Sequence, residues 1–178
     1  SVIKNIKIEK SPKWLRARLV SVGIKPINNI VDITNYVLME YGQPMHAFDY
    51  DYLDGHKIVV RDGKVGEEIK VLNHNSYDVD ERILCVCDAN KPVVIAGIIG
   101  GLNSCVIDDT KTAVFEAASF NRASIRRTSR RIGVRTDSTA RFEKGVDIQS
   151  PEIGMQRALN LISKLGAGEI VSGVIDSV

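Results

Sequence analysis

Five strand-like runs follow one another between residues 57 and 118, at 57–61, 67–72, 83–87, 92–99 and 112–118, with no helical period between them. Gly63–Gly66 and Asn73-His74-Asn75 mark turns inside this block. A regular βαβ chain would place a helix between successive strands. Here the helical signals stand apart, before and after the strand block. Ser11-Pro12 reads as a cap and first helical residue, with Trp14, Leu15, Leu19 and Val22 at helical spacing and Gly23 as a stop. A second helix is expected over 31–40, with Asp32 near its start and Gly42 and Pro44 ending it. A third, basic helix runs from 121 to 131 and stops near Gly133. A fourth is announced by Ser150-Pro151 and stopped by Gly166. Strands at 2–9 and 170–175 open and close the chain. The class this predicts is α+β: a β-rich layered domain, sheets with helices packed on one side.

A chain of 178 residues can bury one real core, and 44% hydrophobic with 26% charged residues is ordinary for a soluble protein. We therefore expect a single domain over 1–178. The opening SVIKNIKIEK, without Met and already alternating, suggests a piece cut from a longer protein, though Met removal before a small residue such as Ser would look the same. The three cysteines are too few for a disulfide framework and fit a reducing cytosol. Cys85 and Cys87, two apart on a strand, read as small core residues. No apolar run reaches membrane-spanning length, and the histidines and cysteines show no zinc spacing.

Two stretches carry the candidate chemistry. In 29–49, NIVDITNYVLMEYGQPMHAFD, Asn35 interrupts an apolar helix and His46 follows the Gly42-Gln43-Pro44 break. Asn35 reads first as a satisfied or water-facing amide. A histidine near pH 7 can position or activate water, though a lone loop histidine is more often a surface residue. In 113–147, Glu116 shares a strand face with Val114 and Ala118. A carboxylate there either meets solvent, the safer reading from spacing, or awaits a ligand donor. Gly97, Gly100 and Gly101 lack dinucleotide-binding spacing and instead permit a turn or close backbone approach. Between Arg122 and Lys144 eight basic residues face only Asp137 and Glu143. Arg126, Arg127, Arg130 and Arg131 form a double stripe on the helix. Either a phosphate partner or carboxylates from elsewhere in the fold would offset their repulsion.

VDITNYVLMEYGQPMHAFD, AGIIGG, FEAASFN and RTDSTARFEKGVD, in that order, resemble the B3/B4 region of the bacterial phenylalanyl-tRNA synthetase beta subunit, from about Trp14 to the last helix. The resemblance implies the B3/B4 fold and an editing activity: hydrolysis of tyrosine wrongly esterified to tRNA(Phe), within a phenylalanine–tRNA ligase. It places His46 and Asn35 at the editing site, Glu116 on the tyrosine hydroxyl, and Gly100 and Thr136 in the pocket. Ser138 falls where many relatives carry alanine. It places Lys25 near the tRNA end, where a lysine keeps the charge of the usual arginine but loses its fork. With the basic helix this makes Lys25, Arg126, Arg127, Arg130 and Arg135 the expected RNA contacts. The implied partners are the tRNA(Phe) acceptor end and an alpha subunit in an α2β2 heterotetramer, in the cytoplasm and with no membrane. No metal or cofactor is expected in this domain, ATP and Mg belonging to the alpha-subunit active site. The rival expectation is a non-catalytic module that steers tRNA or braces the synthetase.

Overall fold

The computed structural model describes residues 1–173 and 175–176. In chain order the described elements are β1 (Val2–Lys4), α1 (Lys13–Ser21), α2 (Asn29–Tyr41), β2 (Met45–Asp49), β3 (Val59–Asp62), β4 (Glu67–Lys70), β5 (Ser76–Val79), β6 (Leu84–Cys87), β7 (Pro92–Ile95), β8 (Ile99–Gly100), β9 (Ala113–Ala117), α3 (Arg122–Ile132), α4 (Asp137–Phe142), α5 (Ser150–Leu165) and β10 (Glu169–Ile170). Two short 3-10 turns lie at Tyr50–Tyr52 and Asp54–His56. Among the described residues every strand pairing is antiparallel, giving an α+β fold with three antiparallel sheets. No described helix is long and apolar enough to cross a membrane.

The chain divides into two compact units, each with a core of its own. The first comprises residues 1–49, 106–118 and the segment from Ile148 onward. Its sheet runs β10-β1-β9-β2. Ile3, Ala47, Ala113 and Phe115 share one buried cluster with Ile33 and Val37 of α2 and Leu161 and Ile162 of α5, so the helices lie against one sheet face. Residue α2 positions obey local chemistry. The Asn28 side chain caps the Val31 N–H, and Gly42 at φ 73° ends the helix in the left-handed region. Asp32 is wholly buried, but accepts hydrogen bonds from Ser11 Oγ and the Ile27 N–H.

The second unit comprises residues 50–105 and 119–147. It holds the sheet β3-β6-β7-β8, the pair β4-β5, and an isolated bridge from Val71 to Gly101. Its core joins Ile69, Val71, Cys85, Cys87 and Ile95 of the strands to Ile125 of α3 and Phe142 of α4. Both cysteines are fully buried and all three are free. Burial pushes the Cys85 thiol up to about 12, which keeps it an inert packing group.

Several local expectations shift. The opening strand stops at Lys4 because Asn5 takes φ 50°. Ser11 does not cap α1: Pro12 holds that position and the Ser11 hydroxyl goes to Asp32. Gln149, not Ser150, precedes α5. The run 92–99 splits into β7 and β8 around Gly97 at φ 68°, where an added Cβ would lie 2.9 Å from both Ile125 and Phe142. β3 and β4 flank the Gly63–Gly66 turn without pairing with each other; their partners are β6 and β5. The closing strand is Glu169–Ile170 on β1, and Val174 lies outside the described residues. β2, β5 and α4 were not anticipated. β2 is short and buried over its last three residues, so it shows no alternation. α4 has six residues and rests on a capping box between Thr136 and Thr139.

Candidate active site and basic cleft

β2 and β9 pair in a regular antiparallel register that sets His46 directly opposite Glu116. Successive strand residues alternate faces. Ala47, Ala113 and Phe115 therefore face the helices, while His46, Phe48, Val114 and Glu116 share the other face. On that face Phe48 is fully buried, and the His46 ring meets it edge-on at 4.5 Å between centroids.

Directly opposed side chains have Cβ atoms about 5 Å apart, yet His46 and Glu116 do not bond each other. Both residues keep partial exposure overall, but His46 Nε2 and Glu116 Oε2 are shut off from solvent with no partner among the described residues. Burial pushes the Glu116 carboxyl up to about 7 and the His46 imidazole down to about 4. At neutral pH His46 is thus an uncharged imidazole, and Glu116 stands near its midpoint. An unpaired sheltered polar atom costs about 1–3 kcal/mol, so this pair is a poor design for stability alone and a good one for receiving a polar ligand. For both residues the structure departs from the reading favoured on spacing: His46 is in a strand, not a surface loop, and Glu116 Oε2 does not meet solvent.

Asn35 lies in the middle of α2 with Val31 and Met39, on its less buried stripe. It makes no hydrogen bond to His46 or Glu116. Lys25 is exposed in the connection between α1 and α2. One residue of this unit escaped the sequence reading. Gln43 is fully buried, and its Nε2 donates to Pro44 O at 2.8 Å and Ala118 O at 3.0 Å. It joins the entry to β2 with the exit of β9, bracketing the His46–Glu116 register. A polar residue between Gly42 and Pro44, in otherwise apolar surroundings, was the available signal.

In the second unit Gly100 is buried on β8, paired with Val94, and its carbonyl accepts from the Leu72 N–H. Thr136 Oγ1 donates to Ile98 O at 2.8 Å and accepts from the Thr139 N–H, so it caps α4 and ties it to the segment before Gly100. Ser138 is half-buried in the first turn of α4. Along α3, Arg126, Arg127 and Arg130 are exposed. The carboxylate explanation holds for Arg131, which forms a two-pronged pair with Asp80; beyond the helix, Arg135 pairs with Glu143, an acid of the same stretch. A cleft of about 360 Å³ is lined by Arg126, Ser129, Arg130, Arg135, Glu143 and Lys144.

Fold and site together define an α+β domain with a sheltered acid–imidazole pair in one unit and a cationic cleft in the other. The chain belongs to the B3/4 domain family, which it matches over residues 1–167. It is similar to the phenylalanine–tRNA ligase beta subunit of Clostridium tetani, 47% identical over 174 residues, covering 98% of this chain and 22% of that protein. The corresponding subunit of Carboxydothermus hydrogenoformans is 49% identical over 169 residues, covering 95% of this chain and 21% of that protein. That of Geobacillus kaustophilus is 45% identical over 176 residues, covering 99% and 22%. The chain thus spans about a fifth of the length of these relatives.

Proposed function

We propose that this chain is the editing domain of a phenylalanine–tRNA ligase beta subunit, hydrolysing tyrosine wrongly esterified to tRNA(Phe). The observation that supports it most is the solvent-free, unpartnered Glu116 Oε2 opposite a neutral His46. A tyrosine phenol donates a hydrogen bond to that carboxylate. Phenylalanine leaves it buried and unpaired, at a cost of ~1–3 kcal/mol, roughly five- to 150-fold in rate. A pocket built for phenylalanine has difficulty excluding a substrate that adds one hydroxyl, so a second site that demands the hydroxyl protects the correct product.

The ester is already activated, and what hydrolysis needs is a well-placed water. In this reading His46 and Asn35 of the first unit orient water and ester, and Lys25, Arg126, Arg127, Arg130 and Arg135 meet RNA. Aminoacylation, with ATP and Mg, belongs to an alpha subunit in an α2β2 assembly in the cytoplasm. The register favours an alternative to water placement by His46. It sits across from Glu116, at the phenol end, whereas the ester lies a full tyrosine side chain away. His46 Nε2 then shares recognition of the hydroxyl.

Deacylation of Tyr-tRNA(Phe) and Phe-tRNA(Phe) by wild type, His46→Ala and Glu116→Ala tests these roles. Glu116→Ala should erode the preference for the tyrosyl ester. His46→Ala should slow both esters equally if it places water, and erode the preference if it reads the phenol. A preference intact in both variants removes Glu116 and His46 from tyrosine recognition, and a wild-type chain that releases neither amino acid faster than buffer sinks the reading and leaves the non-catalytic module, which the basic cleft supports.

A further inference from the structure

The cations of α3 do not share one fate. Arg131 turns to Asp80 through two hydrogen bonds of 2.8 and 2.6 Å. Arg126 and Arg130, one helical turn apart, line the cleft with Arg135 and Lys144, and none of Arg126, Arg130 and Lys144 has an ion-pair partner among the described residues. Glu143 is the single acid there, and it is engaged by Arg135, whose guanidinium holds its carboxyl below the usual carboxylate range. Four cations around one carboxylate leave a surplus of three positive charges. The wall is held open by local structure. Gly133 at φ 70° ends α3, and Ser129 Oγ donates to Val134 O at 2.6 Å, which fixes the turn that leads to α4.

We infer that this cleft is a phosphate-binding site for an RNA backbone, with Lys144, Arg126 and Arg130 as its ligands and Arg135 braced by Glu143 as its fixed wall. This rests on reading the chain as an RNA-handling domain, and adds to it the place where the backbone is gripped. Guanidinium forks match phosphate oxygens two at a time, and anion entry relieves the mutual repulsion of the cations. No aromatic side chain lines the cleft, so it offers bases no stacking surface, and binding here is independent of sequence. Lys144 enters this site although the basic helix alone did not include it. Arg127, exposed on the same helix, does not line it.

The test is fluorescence-anisotropy binding of a short RNA duplex with a single-stranded CCA end, across a salt series. The combined Arg126→Ala, Arg130→Ala and Lys144→Ala variant should bind about tenfold or more weakly, with the salt slope reduced by about one. Lys70→Ala, an exposed charge of the same unit outside the cleft, should change affinity less than about twofold. Glu143→Gln, which removes the only negative charge, should tighten binding several-fold; a purely structural role would weaken it. The proposal is overturned if the triple variant binds like wild type, if Lys70→Ala weakens binding as much as Arg130→Ala, or if Glu143→Gln weakens binding with an unchanged circular dichroism spectrum. Deacylation separates this from the editing reading. Loss of RNA affinity in the triple variant, with hydrolysis indifferent to His46 and Glu116, keeps the cleft and discards the editing site; the reverse pattern discards the cleft alone.

Discussion

Glu116 and His46 pull stability in opposite directions as pH changes. The folded Glu116 carboxyl, at about 7, lies above its ordinary 4.5. Between those values the folded chain holds the extra proton, so stability falls as pH rises through that window. The folded His46, at about 4, lies below its ordinary 6.5. There the unfolded chain holds the extra proton, and stability rises with pH from about 4 to 6.5. The two slopes offset one another where they overlap, and above that overlap the Glu116 cost stands alone. Glu116→Gln keeps the shape and removes the charge. It should gain up to about 3 kcal/mol relative to wild type at pH 8 and much less near pH 4. Urea unfolding at both pH values measures this, and an identical difference at the two would mean that the carboxylate is solvated in the folded chain. Glu116 shows how far one residue can be read from sequence. Alternation named the residues sharing its face, but not whether that face meets water.

At the scale of elements, the register that opposes His46 to Glu116 is held at its end by Gln43. Its amide spans the start of β2 and the residue after β9, and α5 presses on it at Gly154, where an added Cβ would lie 2.6 Å from Gln43 Cγ. Alanine is the better helix former by about 1 kcal/mol. Gln43 is fully buried and cannot step aside, so overpacking, at about 1–3 kcal/mol, outweighs that gain. Gly154→Ala and Gln43→Ala should each lower stability by roughly 1–2 kcal/mol in thermal or urea unfolding, Gln43→Ala by leaving Pro44 O and Ala118 O without their donor. A Gly154→Ala chain more stable than wild type would show that the side chain has room to move. Helices with side-chain caps or left-handed stops were legible locally: Gly42, Gly133 and Gly166 end α2, α3 and α5. β2 was not, because a strand buried along most of its length has no period to display.

Across the whole molecule, the two units interleave along the chain. The first is assembled from three separate segments and the second from two. β9 lies between β1 and β2 in the sheet, although more than a hundred residues separate it from β1. A chain truncated after Cys105 keeps β1 and β2 but loses the strand that joins them. It should lack cooperative unfolding and show poor dispersion of amide resonances, and a cooperatively folded truncated chain would refute this dependence on β9. Closure of such distant pairs also places folding among the slower topologies.

Local punctuation was enough for the α+β class, for four of the helices and for most of the central strands, because caps, glycine stops and residue period act over a few neighbours and need no partner from afar. The resemblance of its ordered motifs was enough to anticipate the B3/4 family. Long-range packing settled the rest: that there are two cores, that His46 sits across from Glu116, that both turn an unpaired atom away from water, and that Arg131 finds Asp80 while Arg130 opens onto a cleft. Each of these depends on which distant segment arrives beside which. Burial and charge pairing are properties of that arrangement, and the order of residues along the chain does not carry them.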